Sequence, residues 1–189
     1  MTRSTDIAIR DATPSDAEAI AALHLASWLA AYRGIVPDEC LNTVTIQSRV
    51  TRWRRALSAA ESPLIETVVA VDRATILGVC SSGLRRQPAS SDVGEVYALH
   101  VRPDCRRHGF GKLLLDGAVR RLATRGLTGA VLWVLRENAS ARRFYEAQGW
   151  SFTGEERTDD REGYDIPEAR YAITFERQAT QPGQAILVL

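Results

Sequence analysis

The spacing of apolar residues shifts along the chain between a period of two and one near 3.6, and each shift predicts an element. Ile7 to Arg10 reads as a short strand. Thr13-Pro14-Ser15-Asp16 has cap and first-turn chemistry, and Ile20, Leu23 and Ala26 to Trp28 carry the helix it starts to about Tyr32. Gly34 breaks that helix, and Pro37-Asp38-Glu39 opens a second helical region reaching toward Ala60. Leu64 to Val71 and Thr75 to Leu84 read as strands joined by a tight turn at Asp72-Arg73-Ala74. A polar loop, Arg85 to Asp92, then leads into a strand from Val93 to Val101, closed by Pro103.

The next helix is amphipathic, with a core stripe of Leu115, Ala118, Val119 and Leu122, and Gly126 stops it. Ala130 to Leu135 is a continuous apolar run, as expected of a strand buried on both faces. Asn138 to Gln148 is a helix ended by Gly149. Trp150 to Gly154 and Tyr171 to Phe175 are the last strands, separated by a charged loop from Thr158 to Glu168. This order predicts an α/β fold with a mixed central sheet, parallel at its centre where the chain crosses over through a helix. With no repeat and no linker, residues 1–177 read as one domain and 178–189 as a C-terminal tail.

Composition narrows the function classes. Twenty-four basic residues against 23 acidic ones give a net charge of +1, so no global field draws the protein to nucleic acid or a membrane. Cys40, Cys80 and Cys105 are odd in number, far apart and without metal-ligand spacing, which predicts a reducing compartment, no disulfide framework and no metal site. No apolar run is of membrane-spanning length and no signal h-region follows Met1. A cytoplasmic location is the expectation.

The candidate chemistry begins at Arg106-Arg107-His108-Gly109-Phe110-Gly111-Lys112, between a strand and a helix. A helix start carries unpaired N–H groups and a partial positive charge, ordinarily answered by a polar cap and acidic residues. Here the neighbours are glycine, arginine and lysine, an arrangement that repels its own helix dipole unless a foreign anion sits there. Glycines let backbone N–H groups approach such an anion, so the simplest reading is a phosphate or pyrophosphate site. A nucleotide P-loop is excluded because Leu113 follows Lys112, and a dinucleotide fingerprint because position 114 is Leu. A glycine-rich turn with basic surface residues is the alternative.

Arg106, Gly109 and Gly111 fit Arg/Gln-x-x-Gly-x-Gly/Ala, and here the chain resembles the GCN5-related N-acetyltransferases. A second stretch, Asn138-Ala-Ser-Ala141-Arg142-Arg-Phe-Tyr145-Glu with Gly149, looks like the second acetyl-CoA motif of that family. The resemblance covers roughly residues 5–176. It implies a sheet of about seven strands, flanked by helices, with a pair of parallel central strands splayed by a bulge on the strand Val93 to Val101. It also implies acetyl-CoA as co-substrate, with its pyrophosphate on the turn from Arg106 to Lys112 and Asn138 on the pantetheine arm. Arg142 lies along or beside the face that Asn138 shares with Tyr145. Backbone groups at Leu99 and Val101, with His100 between them, pair with the arm as a missing strand would. Tyr145 then stands by the thioester sulfur and protonates the leaving thiolate.

Strict alternation puts Glu95, Tyr97, Leu99 and Val101 on one strand face and Val96, Ala98 and His100 on the other. Glu95 is the candidate base, because an amine must lose a proton to attack a thioester. A solvated strand-end Glu is the competing reading. Asn138 can equally be a helix cap, and Tyr145 an interfacial aromatic. Trp28, Tyr32 and Tyr97 are the candidate acceptor contacts, or else core aromatics at helical spacing. His24, His100 and His108 stand isolated in sequence, which favours core, surface or phosphate-loop roles over catalysis.

The acceptor class is left open: a small amine, an antibiotic amine, an amino acid or a protein N-terminus. The absence of a strongly acidic groove speaks against a polycation, although Asp159, Asp160, Glu162 and Asp165 could supply one. The residues also leave room for a non-catalytic acyl-CoA-binding module and for a longer acyl chain. Pairing into a homodimer through the apolar Ala185 to Leu189 end is open as well.

Overall fold

The computed structural model describes residues 7–58, 64–85, 92–161 and 163–175. The proposed tail, the middle of the polar loop after Arg85, the end of the second helical region and Glu162 lie outside the described residues. Seven strands form one sheet: β1 (Ile7–Asp11), β2 (Ile65–Asp72), β3 (Thr75–Leu84), β4 (Val93–Val101), β5 (Gly129–Leu135), β6 (Ser151–Arg161) and β7 (Tyr164–Thr174). Their spatial order is β1-β2-β3-β4-β5-β7-β6. Only β4 and β5 run parallel, and the connection between them is the helix α4 (Phe110–Thr124). The other helices are α1 (Ala17–Tyr32), α2 (Asp38–Thr43), α3 (Ile46–Ala56) and α5 (Ala139–Ala147).

The helix start at the N-terminal end is built locally. Thr13 N–H donates to Asp16 Oδ2 at 2.7 Å, and the Arg10 guanidinium grips both Asp16 oxygens at 2.7 and 2.8 Å. That pairing, with the Thr13 bonds, holds the Asp16 carboxyl well below the usual carboxylate range. The expected second helical region is two helices, because Val44 and Thr45 leave helical geometry and Thr45 Oγ1 caps α3 by accepting from Ser48 N–H at 3.2 Å.

Alternation along β2 sends Val68 and Ala70 to one side of the sheet and Val69 and Val71 to the other. The first side packs under α4 through Leu114, Leu115, Ala118 and Leu122. Gly78 and Gly94 admit this close approach: a Cβ at either would stand 2.7 Å from Leu114 or 2.8 Å from Leu122. The second side packs under α1 and α3 through Ile20, Leu23, Val50 and Trp53. A third cluster joins Trp28, Cys40 and Leu41 to Leu135 and Ile166.

The charged loop expected between Thr158 and Glu168 is strand instead. β6 and β7 pair as far as Arg161 opposite Tyr164, beyond the segment where β7 also pairs with β5. The β6 half of that projecting ribbon, Thr158 to Arg161, is wholly polar and Pro167 interrupts its β7 half, so the segment lacks a sustained half-apolar alternation even though Ile166 is buried. Among the described residues, no helix is long and apolar enough to cross a membrane.

Candidate active site

The two parallel strands stay together for four residues and then part. β4 and β5 pair from Val93 opposite Gly129 to Val96 opposite Leu132, yet each strand runs on, to Val101 and Leu135. The cause is a β-bulge on β4. Ser82 pairs with Val96 and Ser81 with Ala98, so Tyr97 is the extra residue. A bulge bends its strand and increases the local twist, which turns the end of β4 away from β5. The Tyr97 hydroxyl donates to the Leu84 carbonyl and ties the bulge to the end of β3.

The bulge also overturns the strict alternation expected of this strand. Leu99 and Val101 pack with Val96 on the α4 side, whereas Ala98 packs on the α1 side and His100 stacks against His24 of α1. Arg102 N–H turns to Leu77 O on β3 at 2.9 Å. Backbone groups alternate sides along a strand, so those of His100 also turn to β3 and those of Val101 and Leu99 face the gap toward β5.

Beyond β4, a single tight turn over Pro103–Cys105 leads to Arg106 in extended geometry. Arg107 and Gly109 take left-handed angles, φ +65° and +85°. Glycine adopts that angle without strain; for Arg107 it costs about 1–3 kcal/mol, a cost typical of functional turns. Helix α4 then begins at Phe110 with no side-chain cap, and its first internal bond is Leu113 N–H to Gly109 O at 3.0 Å. The N–H groups of Phe110, Gly111 and Lys112 therefore have no acceptor within the helix. Lys112 reaches Asp116 one turn on at 2.7 Å, and Arg106 Nη2 donates to the Ser27 carbonyl of α1 at 3.2 Å.

A cavity of about 930 Å³ fills the space between the parted strands and the helices around them. Arg106, Arg107, Gly109, Gly111 and Lys112 close one end, with Leu99, His100 and Val101 along one wall. Asn138 and Tyr145 line the α5 side, and Trp28 and Tyr32 of α1 and Tyr97 of β4 line the cavity as well. Glu95, His108, Phe110 and Arg142 do not line it. Glu95 sits half-buried on the paired part of β4, opposite Gly83 and Val131. His108 is exposed, its Nδ1 within 2.8 Å of Arg106 O. Arg142 is engaged on the outer side of α5, donating to the Tyr171 hydroxyl at 2.9 Å and the Arg136 carbonyl at 3.1 Å.

Asn138 does cap its helix, accepting from Ala141 N–H at 3.0 Å, and also lines the cavity. Tyr145 is packed tightly enough that burial pushes its phenol above the ordinary value, with Cys80 and Tyr32 adding to the shift. It therefore stays protonated at neutral pH and is a donor. Burial pushes the neighbouring Cys80 thiol up to about 12, so it is no nucleophile. Among the described residues, no group of three or more His, Cys, Asp or Glu side chains could hold a metal ion.

Several cavity residues escaped the sequence reading. His24 and Ser27 share one face of α1 with the expected Trp28, a spacing that could have revealed them. His24 and His100 stack, ring centroids 3.9 Å apart and planes at 24°, and Trp53 of α3 donates to His24 Nδ1 at 3.0 Å. Glu168 of β7, 1% exposed, also lines the cavity and takes Arg157 on Oε2 at 2.8 and 2.9 Å. The Arg157 guanidinium lies over the Trp133 ring at 4.2 Å.

Residues 25–150 match the family described as Acetyltransferase (GNAT) family. The uncharacterized N-acetyltransferase YuaI of Bacillus subtilis is 28% identical over 142 residues, covering 75% of this chain and 78% of the relative. Among solved structures, the PaiA N-acetyltransferase of Thermoplasma acidophilum in complex with coenzyme A superposes with a TM-score of 0.68 at 20% identity, covering 90% of this chain and 99% of that one. The YncA acetyltransferase of Salmonella typhimurium with acetyl-CoA gives 0.66 at 20% identity, over 93% and 97%.

Proposed function

This chain belongs to the acetyltransferase (GNAT) family, and on that premise we propose that it moves the acetyl group of acetyl-CoA to a primary amine by direct attack in a ternary complex. The observation that carries the reading is the gap opened by the Tyr97 bulge, with strand backbone along one side and an uncapped helix start at its end. A linear pantetheine fits the first and a pyrophosphate the second.

In this reading the N–H groups at the start of α4, with Arg106, hold the pyrophosphate. Gap-facing backbone of Leu99 and Val101 pairs with the pantetheine amides, and a β4 N–H polarises the thioester carbonyl. Holding amine and thioester together removes much of the entropic barrier. The amine nitrogen bonds to the carbonyl carbon, the C–S bond breaks, and its electron pair leaves on sulfur. Tyr145, kept protonated by burial, donates to that sulfur. Glu95 does not line the cavity, so any part it has in proton removal runs through water rather than by contact. Trp28, Tyr32 and Tyr97 border the acceptor, a small-molecule amine or a protein or peptide amine.

Calorimetry tests the first half, with acetyl-CoA titrated against ATP and NAD as controls. Selective acetyl-CoA binding is expected, followed by amine-dependent release of free thiol in a screen of primary amines. A folded sample that does not bind acetyl-CoA, or binds all three alike, overturns the proposal.

A further inference from the structure

Two imidazoles stacked in the wall of a cavity invite the question of which one carries a proton, and the neighbouring donors answer it. An indole N–H can only donate. Trp53 Nε1 donates to His24 Nδ1 at 3.0 Å, so that nitrogen holds a lone pair and the neutral ring carries its hydrogen on Nε2. Charging His24 would put a second hydrogen against the indole N–H and break the bond. His24 is thus held neutral.

The Ser27 contacts favour the opposite tautomer at His100. The Ser27 hydroxyl gives its hydrogen to the His24 carbonyl at 3.0 Å. With that hydrogen committed, the hydroxyl oxygen accepts from His100 Nδ1–H at 2.9 Å, which leaves the lone pair of His100 on Nε2. The stacked His24 ring offers a π face to an imidazolium at His100, while a second charge on the pair would meet like-charge repulsion. The pair accepts one proton, and it goes to His100.

His100 lies between Leu99 and Val101, whose backbone borders the gap, and both imidazoles line the cavity. Other charged groups face that cavity from every side: Arg49 and Arg52 of α3, Arg106 and Arg107 of the turn, Lys112 of α4, and Asp159, Asp160 and Glu168 of β6 and β7. The four guanidinium groups and the Lys112 ammonium resist a standing positive charge on His100, which keeps it a base, and the three carboxylates offset part of the charge once it forms.

We propose that His100 takes the proton from the acceptor amine, with Ser27 and Trp53 as positioning residues that fix the two tautomers. This rests on the acetyltransferase reading of the same cavity. As the N–C bond forms and the C–S bond breaks, the surplus proton on nitrogen passes to His100 Nε2. The sulfur receives its proton from the Tyr145 side, and solvent exchange returns both groups to their starting state.

Ring-nitrogen NMR on the full chain with coenzyme A bound reads the tautomers without an acceptor. The expected result is His24 as the neutral Nε2–H form across the range where imidazoles titrate, about pH 5 to 8, with His100 as Nδ1–H taking the only proton. Trp53→Phe should let His24 titrate as well. In turnover, run with the amine giving the fastest thiol release in the screen, His100→Gln should lower kcat about 100-fold and leave acetyl-CoA affinity unchanged. It should also remove the acid limb of the kcat/KM–pH profile that Glu95→Gln retains. A proton found on His24, an Nε2–H tautomer at His100, or unchanged turnover in a folded His100→Gln sinks the proposal alone. Turnover of no amine at all sinks the acetyltransferase reading, and this proposal with it.

Discussion

Helices α1 and α4 begin in opposite ways. At α1 the chain answers the start through the tight turn Pro14–Asp16 that leads into the helix: Asp16 closes back on Thr13 and is clamped by Arg10. At α4 the corresponding place holds Gly109, with arginines before it and Lys112 after, and no side chain caps the helix. Both starts carry the same partial charge and the same unpaired N–H groups. The first is satisfied within the fold and contributes to stability. The second has no side-chain cap, and it opens into the cavity.

The difference can be broken most strongly by giving α4 the cap it lacks. Gly109→Asp, tolerable at a left-handed position, supplies both acceptor and negative charge, and should weaken acetyl-CoA binding by at least about 100-fold in calorimetry. Loss of stability without loss of affinity would mean that the turn serves only the fold. Tyr145→Phe separates binding from chemistry at the same cavity: kcat should fall about 100-fold with acetyl-CoA affinity intact. Equal turnover would remove the phenol from the reaction. Arg106→Ala should weaken acetyl-CoA binding roughly 10- to 100-fold and flatten its dependence on salt. An unaltered affinity would end the pyrophosphate assignment.

The smallest effects lie at α1. Asp16→Ala should cost about 1–2 kcal/mol in chemical denaturation and leave acetyl-CoA affinity alone. Its pH dependence has a definite sign. The Asp16 carboxyl is held below its ordinary value by Arg10, so its contribution is complete above the unfolded value of about 3.9 and fades as pH falls through the lower folded value. The stability gap between the wild type and Asp16→Asn should therefore shrink on acidification. A gap that widens in acid contradicts the geometry.

The two helix starts were also the most legible parts of the chain, because a cap and a glycine turn are written in consecutive residues. The seven strands, their succession along the chain and the parallel centre of the sheet followed from periodicity and crossover rules, helped by the resemblance at Arg106 to Gly111 and Asn138 to Tyr145; the order across the sheet did not. The resemblance implied a bulge on β4, but the residues did not show it or its position. Val93 to Val101 has no glycine or proline at Tyr97 to mark an extra residue, and its consequence, the reassignment of Leu99 and Val101, depends on pairing with β3. The outer hairpin was misread as a loop since the β6 half of its projecting ribbon is polar and the β7 half holds Pro167. The histidine stack joins residues of α1 and β4 far apart in sequence, and no local pattern announces it.

The bulge at Tyr97 has a bearing on how this molecule avoids its own kind. A strand edge left open at the rim of a sheet is a template for foreign strands and for aggregation. The open edge of β4 lies instead in the interior of the sheet, with β5 opposite and residues of α1, α4 and α5 around it. A ligand slim enough to enter the cavity can pair with it, and a second polypeptide meets the helices first. The fold thus carries a reactive edge that is open to a small molecule and shielded from fibril growth.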